Sequence, residues 1–410
     1  MWKRCLSGSQ SRSARHRIVS TRSTAAGKPR SCRATTHSPL RVTASASSSS
    51  AAARQAPASM GEEDLLVKFG IGDAHCHPQD DPAACAAGLG SLSARYLAVM
   101  GTRADDWEAV EQLSRREPGK VIPCFGVHPW FAHRHALESD QVAHPASLMD
   151  TPPNGKDDPS RHPELMSGPP PTAPETWLPR LRGLLRAHPH SVVGEFGLDR
   201  AAVVPGTRLQ PSWSHQLALT ELHLRLASEL RRPASLHCVQ GYGHLQDMLR
   251  RLGPEGCPPK IMLHSYGGSV DLIKGFTKLP GGVGDRIYFS FSSVINGRQG
   301  RTKLLQRLAA VPVGRLLLES DQCSPTRVDA GLRDILAAAA EARGVGLEQA
   351  AAEAAEAFRD FYADSLTRMA REETAAAAGG AVTAAAGEAE EEAGDAVAAE
   401  EEGSRRQEGG

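Results

Sequence analysis

The chain has 410 residues, with 47 Lys and Arg balancing 47 Asp and Glu, and no apolar run long enough to cross a bilayer. The charge is unevenly spread: residues 1–60 hold eleven Lys and Arg and no acid, residues 372–410 hold eleven acids against two Arg, and the body between is almost neutral. Such a body argues against a protein gripping nucleic acid through a broad basic face, but leaves room for a small cleft made positive by metal ions.

Residues 1–60 are rich in Arg, Ser, Ala and Thr. That composition predicts an organelle transit peptide without stable structure. Val42-Thr43-Ala44-Ser45-Ala46, followed by serines, suits a plastid-type processing region, so the chloroplast is the expected destination. A mitochondrial presequence is the runner-up. Translation from Met60, leaving the protein in the cytoplasm or nucleus, is the third possibility.

From residue 65 short apolar runs alternate with helix-like segments. The expected strands are Phe69–His77, Arg95–Gly101, Val121–His128, Ser191–Leu198, Ala234–Val239, Lys260–Ser265, Arg286–Val294 and Arg315–Ser320. Helical periodicity marks Asp106–Arg116, Thr176–Ala187, Trp213–Arg231, His244–Leu252, Val270–Leu279, Thr302–Ala310 and Val328–Arg343, with a further helix over Leu347–Leu366. Eight β-α units predict an α/β fold, a (β/α)8 TIM barrel over residues 61–371. An open doubly wound sheet is the alternative, but no G-x-G-x-x-G follows the first strand. Residues 136–174, dense in Pro, Asp, Ser and Gly, read as a largely disordered insertion at the barrel mouth after strand three. Residues 372–410, rich in Ala, Gly and Glu, read as a disordered acidic tail. The eight Cys show no paired spacing and no C-x-x-C, so buried reduced thiols are expected rather than disulfides or a Cys-rich zinc site.

The expected strand ends carry chemistry. His75 and His77 in Asp73-Ala74-His75-Cys76-His77 fall on one side of the first strand, with Asp73 on the same face. Glu195 ends the fourth strand, His237 the fifth, His264 the sixth and Asp321 the eighth. In a barrel these ends converge on one face. Four imidazoles and two carboxylates there suit two divalent ions, and Glu195, with two oxygens, is able to bridge them as no imidazole is. Singly, each residue also reads as an ordinary polar strand end or helix cap.

At these residues the chain resembles the TatD-type metal-dependent deoxyribonucleases, a branch of the amidohydrolase-like barrels. The matching pieces are Asp73-Ala74-His75-Cys76-His77, Gly126-Val127-His128-Pro129, Gly194-Glu195-Phe196-Gly197-Leu198-Asp199, Leu236-His237-Cys238, His264-Ser265-Tyr266 with Gly268, and Glu319-Ser320-Asp321 with Pro325. The resemblance runs from about residue 68 to 366. It implies a two-metal phosphodiesterase in which His75, His77, Glu195 and Asp321 serve one ion and Glu195, His237 and His264 the other. Trp130-Phe131 after His128-Pro129 resembles a divergent eukaryotic branch. Two departures bear on substrate: Val239 stands where the family commonly has a phosphate-facing Arg, and Gln322-Cys323-Ser324 lengthens the step from Asp321 to Pro325.

The expected activity is metal-dependent hydrolysis of phosphodiesters at nucleic-acid ends, with Mg²⁺, Mn²⁺ or Zn²⁺ as the ions. Asp321 is the expected proton acceptor, acting with Glu195 as a catalytic residue. His128, Asp199 and Arg200 are the candidates for substrate contact, with Arg298 and Arg301 as sources of phosphate-binding charge. Asp73 is placed to orient a ligand imidazole. Two rivals remain: an amidohydrolase opening a cyclic amide or lactone, whose relatives often use a carboxylated Lys on strand four, and a binding protein that keeps the barrel without catalysis. Glu195, with no Lys nearby, disfavours the first; six intact ligand-type residues disfavour the second.

Overall fold

The computed structural model describes residues 64–150, 169–204 and 207–375. The expected leader lies outside the described residues. Eight strands pair side by side in chain order: Asp73–Cys76, Leu97–Met100, Val121–Phe125, Val192–Asp199, Ala234–Val239, Ile261–Leu263, Ile287–Phe291 and Leu316–Leu318. Each neighbouring pair is parallel. The ring closes just past the ladder, where Asp321 N–H donates to the His75 carbonyl at 3.0 Å and His77 N–H to the Gln322 carbonyl at 2.9 Å. All eight expected strands are present, and most are shorter than the apolar runs that announce them, because the runs continue into loops on both sides.

Alternation within the strands builds two cores. Leu97 and Val99 join the cluster shared with the surrounding helices, whereas Ala98 and Met100 join a second cluster inside the barrel. The inner cluster is closed at the N-terminal end of the strands by the helix Leu347–Phe361, whose Phe358 and Phe361, with the following Tyr362, pack against Ala74, Ile122 and Leu317. The Tyr362 hydroxyl donates to the Ala74 carbonyl at 2.7 Å. Gly72 is required beneath this plug, since a Cβ there would meet the Phe358 ring at 2.3 Å.

Two stretches expected to lack structure are ordered in part. Between 136 and 174, residues 136–150 and 169–174 are folded and 151–168 lie outside the described residues. Ala136 and Leu148 are buried, Met149–Asp150 pairs antiparallel with Gln210–Pro211, and the Trp177 indole donates to the Ala136 carbonyl at 2.7 Å. A few apolar residues dispersed among Pro and Asp anchor this segment to the loop after the fourth strand. At the other end, helix Leu347–Phe361 stops at a turn on Tyr362, and helical structure resumes over 363–375, a few residues into the expected acidic tail. The rest of that tail is outside the described residues.

Candidate metal centre

Strand ends deliver the His and carboxylate side chains to one buried spot. Glu195, almost inaccessible at 1% exposure, sits at its centre. Its two oxygens face different partners. Oε2 lies 3.3 Å from His75 Nε2 and 3.4 Å from His77 Nε2. Asp321 joins this half, with Oδ1 3.5 Å from His77 Nε2 and 4.0 Å from His75 Nε2. Oε1 lies 2.7 Å from His264 Nε2, 3.1 Å from His237 Nδ1 and 3.2 Å from His128 Nε2. Asp321 reaches the cluster in a left-handed backbone conformation (φ 50°), which Asp tolerates better than most side chains. Gly197 is needed beside His237, because a Cβ there would fall 1.9 Å from the His237 carbonyl.

Outer contacts orient the rings. His77 Nδ1 lies 3.1 Å from the Met100 carbonyl, which only accepts, so Nδ1 carries the proton and Nε2 turns toward the carboxylates. His75 Nδ1 lies 3.1 Å from Ser235 Oγ. His237 Nε2 lies 3.3 Å from Asp199 Oδ2. Glu319 also approaches His264 Nδ1, at 3.8 Å, but its oxygens accept from Ser265 N–H and the Ser290 hydroxyl. Glu319 is thereby a satisfied brace for the sixth and seventh strands.

These residues fit bound cations. Among the described residues Glu195 Oε2 and Asp321 Oδ1 are buried and receive no hydrogen bond. Ring nitrogens of His77 and His237 face carboxylate oxygens, an arrangement that calls for positive charge on the rings or between the groups. The titration behaviour has the same cause. Burial opposes ionisation of Glu195, but His128, His264 and His75 around it hold the carboxyl well below its usual range. Burial likewise opposes charge on His77, yet Asp321 and Glu195 outweigh it and push the imidazole up to about 9. Among the described residues three groups of side chains stand close enough to share an ion: His75, His77 and Asp321; His75, His264 and Glu319; and His128, Glu195 and His237. The hydrogen bonds on Glu319 weaken the case for the second.

All six expected ligand-type residues are brought together, and so are His128 and Asp199. Other expectations need correction. Asp73 does not reach an imidazole. A register shift in the first strand turns it toward Ser320, whose N–H it accepts at 2.9 Å, and it accepts the backbone N–H of His75 at 3.1 Å. Arg200 is set apart from the cluster, its guanidinium 4.3 Å from the centre of the Trp213 ring and 3.5 Å from His244 Nε2. Arg301 is ion-paired with Glu341 on the outer helices, and Arg298 is exposed. Sequence reasoning missed Ser235 beneath His75 and the indole of Trp130, which donates to Asp199 Oδ2 at 2.7 Å. Ser235 lies two residues before His237 on the same strand face, a usable signal; nothing in the sequence marks Trp130 as a partner of Asp199.

Comparison with known proteins agrees with this geometry. The family model described as TatD related DNase matches residues 72–363. The Cut9-interacting protein scn1 of Schizosaccharomyces pombe is 33% identical over 322 residues, which span 66% of this chain and 92% of that protein. The uncharacterized deoxyribonuclease YMR262W of Saccharomyces cerevisiae is 30% identical over 243 residues, spanning 55% of this chain and 74% of the relative. The crystal structure of YjjV, a TatD homologue from Escherichia coli, superposes with a TM-score of 0.52 at 19% identity, covering 73% of this chain and 98% of its own, a likeness of fold. With the family match spanning most of the barrel and buried imidazoles and carboxylates at its mouth, this chain belongs to the TatD related DNase family of metal-dependent hydrolases.

Proposed function

We propose that this chain hydrolyses phosphodiester bonds at nucleic-acid ends, using two divalent ions that Glu195 and the surrounding imidazoles and carboxylate would hold. The observation that carries the reading is the division of labour between the Glu195 oxygens, Oε2 toward His75 and His77 and Oε1 toward His237 and His264. His75, His77, Glu195 and Asp321 would hold one ion, and Glu195, His237 and His264 the other. Two divalent ions in such a centre acidify water and offset the charge that builds on a phosphoryl group. Asp321, buried and ionised, is the residue that accepts the proton of the attacking water. The imidazole donors suit Zn²⁺ better than Mg²⁺. Arg200 stacked on Trp213 at the rim offers a charged, flat face for a nucleotide. With no Arg at Val239 and an almost neutral body, few phosphates are neutralised and grip on substrate is weak.

Partner binding is a second reading, supported by the name of the fission-yeast relative, a Cut9-interacting protein. We further propose that residues 1–60 act as a plastid transit peptide. A fluorescent fusion of that segment should enter plastids and be trimmed, and a diffuse signal with no processed band would contradict this.

The activity is tested with the full chain on end-labelled single-stranded and duplex DNA in Mg²⁺, Mn²⁺ and Zn²⁺. The reading expects metal-dependent release of nucleotides that Asp321→Ala and Glu195→Gln both abolish. Metal binding without cleavage of any phosphodiester would transfer the case to the amide-hydrolase or partner-binding readings.

A further inference from the structure

Of the three imidazoles around Glu195 Oε1, His128 and His237 present opposite edges to it. Their centroids are 4.3 Å apart. His128 turns Nε2 inward, at 3.2 Å, whereas His237 turns Nδ1 inward, at 3.1 Å. What lies behind each ring decides what the inward nitrogen carries. His128 Nδ1 accepts the backbone N–H of Trp130 at 3.1 Å. An accepting nitrogen bears no proton, and a cationic ring would set two N–H groups against each other. His128 is therefore neutral with its proton on Nε2, aimed into the centre. His237 Nε2 lies 3.3 Å from Asp199 Oδ2, an oxygen that also accepts the Trp130 indole N–H at 2.7 Å. The other Asp199 oxygen accepts the N–H of Ala201 at 2.7 Å, so the carboxylate is held from both sides. An ionised carboxylate only accepts, so His237 also bears a proton on Nε2, and an ion seated beside Glu195 would meet a bare Nδ1. Both constraints trace to one residue, at the start of the loop after the third strand.

We propose that Trp130 is a positioning residue that fixes His128 and His237 in one tautomer but with opposite edges inward, so that His237 offers a lone pair to an ion and His128 offers an N–H to a substrate oxygen. His128 thus stands at ligand distance without being a ligand. Only the identity of that oxygen, on a phosphoryl group, rests on the phosphodiesterase reading.

The test reads metal and ring protonation separately from activity. In full-length metal-free protein, at a pH high enough that His237 carries a single proton, long-range ¹H–¹⁵N correlation of the histidine rings should show Nε2-protonated His128 and His237. Trp130→Phe keeps the backbone donor and removes the indole N–H. It should leave His128 unchanged, give His237 mixed tautomers, and weaken one of two Zn²⁺ or Mn²⁺ sites about 10–100-fold in calorimetry. If Trp130→Phe does not fold, Asp199→Asn carries the same measurements, since an amide no longer demands a proton on His237 Nε2. His128→Gln should keep the wild-type number of bound ions and lower kcat more than it changes KM, whereas His237→Gln should lose an ion. Loss of an ion in His128→Gln, or unchanged His237 tautomer and metal affinity when the indole or the carboxylate is replaced, overturns the proposal. Absence of any phosphodiester cleavage by the wild type would overturn the substrate reading alone, because the tautomers and ion counts would still decide the role of Trp130.

Discussion

The two ends of the barrel are built on opposite terms. At the mouth, buried imidazoles and carboxylates crowd around Glu195, and two carboxylate oxygens there receive no hydrogen bond among the described residues. At the floor, Phe358, Phe361 and Tyr362 fill the space under the strands, and the Tyr362 hydroxyl is satisfied by the Ala74 carbonyl. The floor gains stability from burial and close packing. The mouth forgoes it, gathering charge that only cations offset. The same strands serve both ends: Ala74 joins the plug and His75, the next residue, joins the centre. Stability and chemistry are thereby separated along a few residues of one strand.

That contrast breaks if a mouth variant fails by unfolding. Asp321→Asn should lower phosphodiester cleavage by ~10²–10⁴-fold, while circular dichroism still shows one cooperative thermal transition. Loss of that transition would make Asp321 a structural residue. At the floor the expectation reverses. Phe358→Ala should cost about 3–5 kcal/mol of stability in urea unfolding, by lost burial and a residual cavity, while the folded fraction keeps wild-type turnover. A specific loss of kcat would mean that the plug reaches the chemistry.

Gly72→Ala sharpens the floor further. Its new Cβ would press on the Phe358 ring at 2.3 Å, and overpacking of that kind costs about 1–3 kcal/mol. The double variant with Phe358→Ala should recover most of the Gly72→Ala loss, since the clash is then gone, and simple additivity would refute the contact.

The smallest effect concerns the helix layer, away from both ends. His223 is fully buried, stacked on Phe196 with centroids 4.9 Å apart, and burial holds its imidazole down at about 4. The unfolded chain takes up this proton near pH 6.5, so the stabilising contribution is complete above 6.5 and lost as pH falls toward 4. Its share of the slope approaches about 1.4 kcal/mol per pH unit in that window. His223→Phe should flatten the curve of thermal midpoint against pH by that share, and an unchanged curve would show that His223 takes up its proton alike in the folded and unfolded chain.

The strands were legible because each is a short apolar run bounded by turn residues, and eight in succession leave few architectures open. The ligand-type residues were legible for a related reason: once the strands form a barrel, His75, Glu195, His237, His264 and Asp321 have nowhere to go but one rim. Sequence carries little about loops. Trp130 meets Asp199 across 69 residues of chain, and no periodicity encodes that meeting. The bulge that turns Asp73 toward Ser320 is equally silent, since strict alternation places Asp73 with the histidines. In the insertion, Ala136, Leu148 and Met149 are too widely spaced to form a pattern, yet each is buried in the loops beside the fourth strand.

The account stands on Glu195 bridging two ions, and counting those ions tests it most directly. Purified, metal-stripped full-length protein is titrated with Mn²⁺ and Zn²⁺ by calorimetry, with the bound metal counted by mass spectrometry. Two ions per chain, with both sites weakened together in Glu195→Gln, is the predicted result. A single ion per chain, or two sites of which Glu195→Gln disturbs only one, would contradict it.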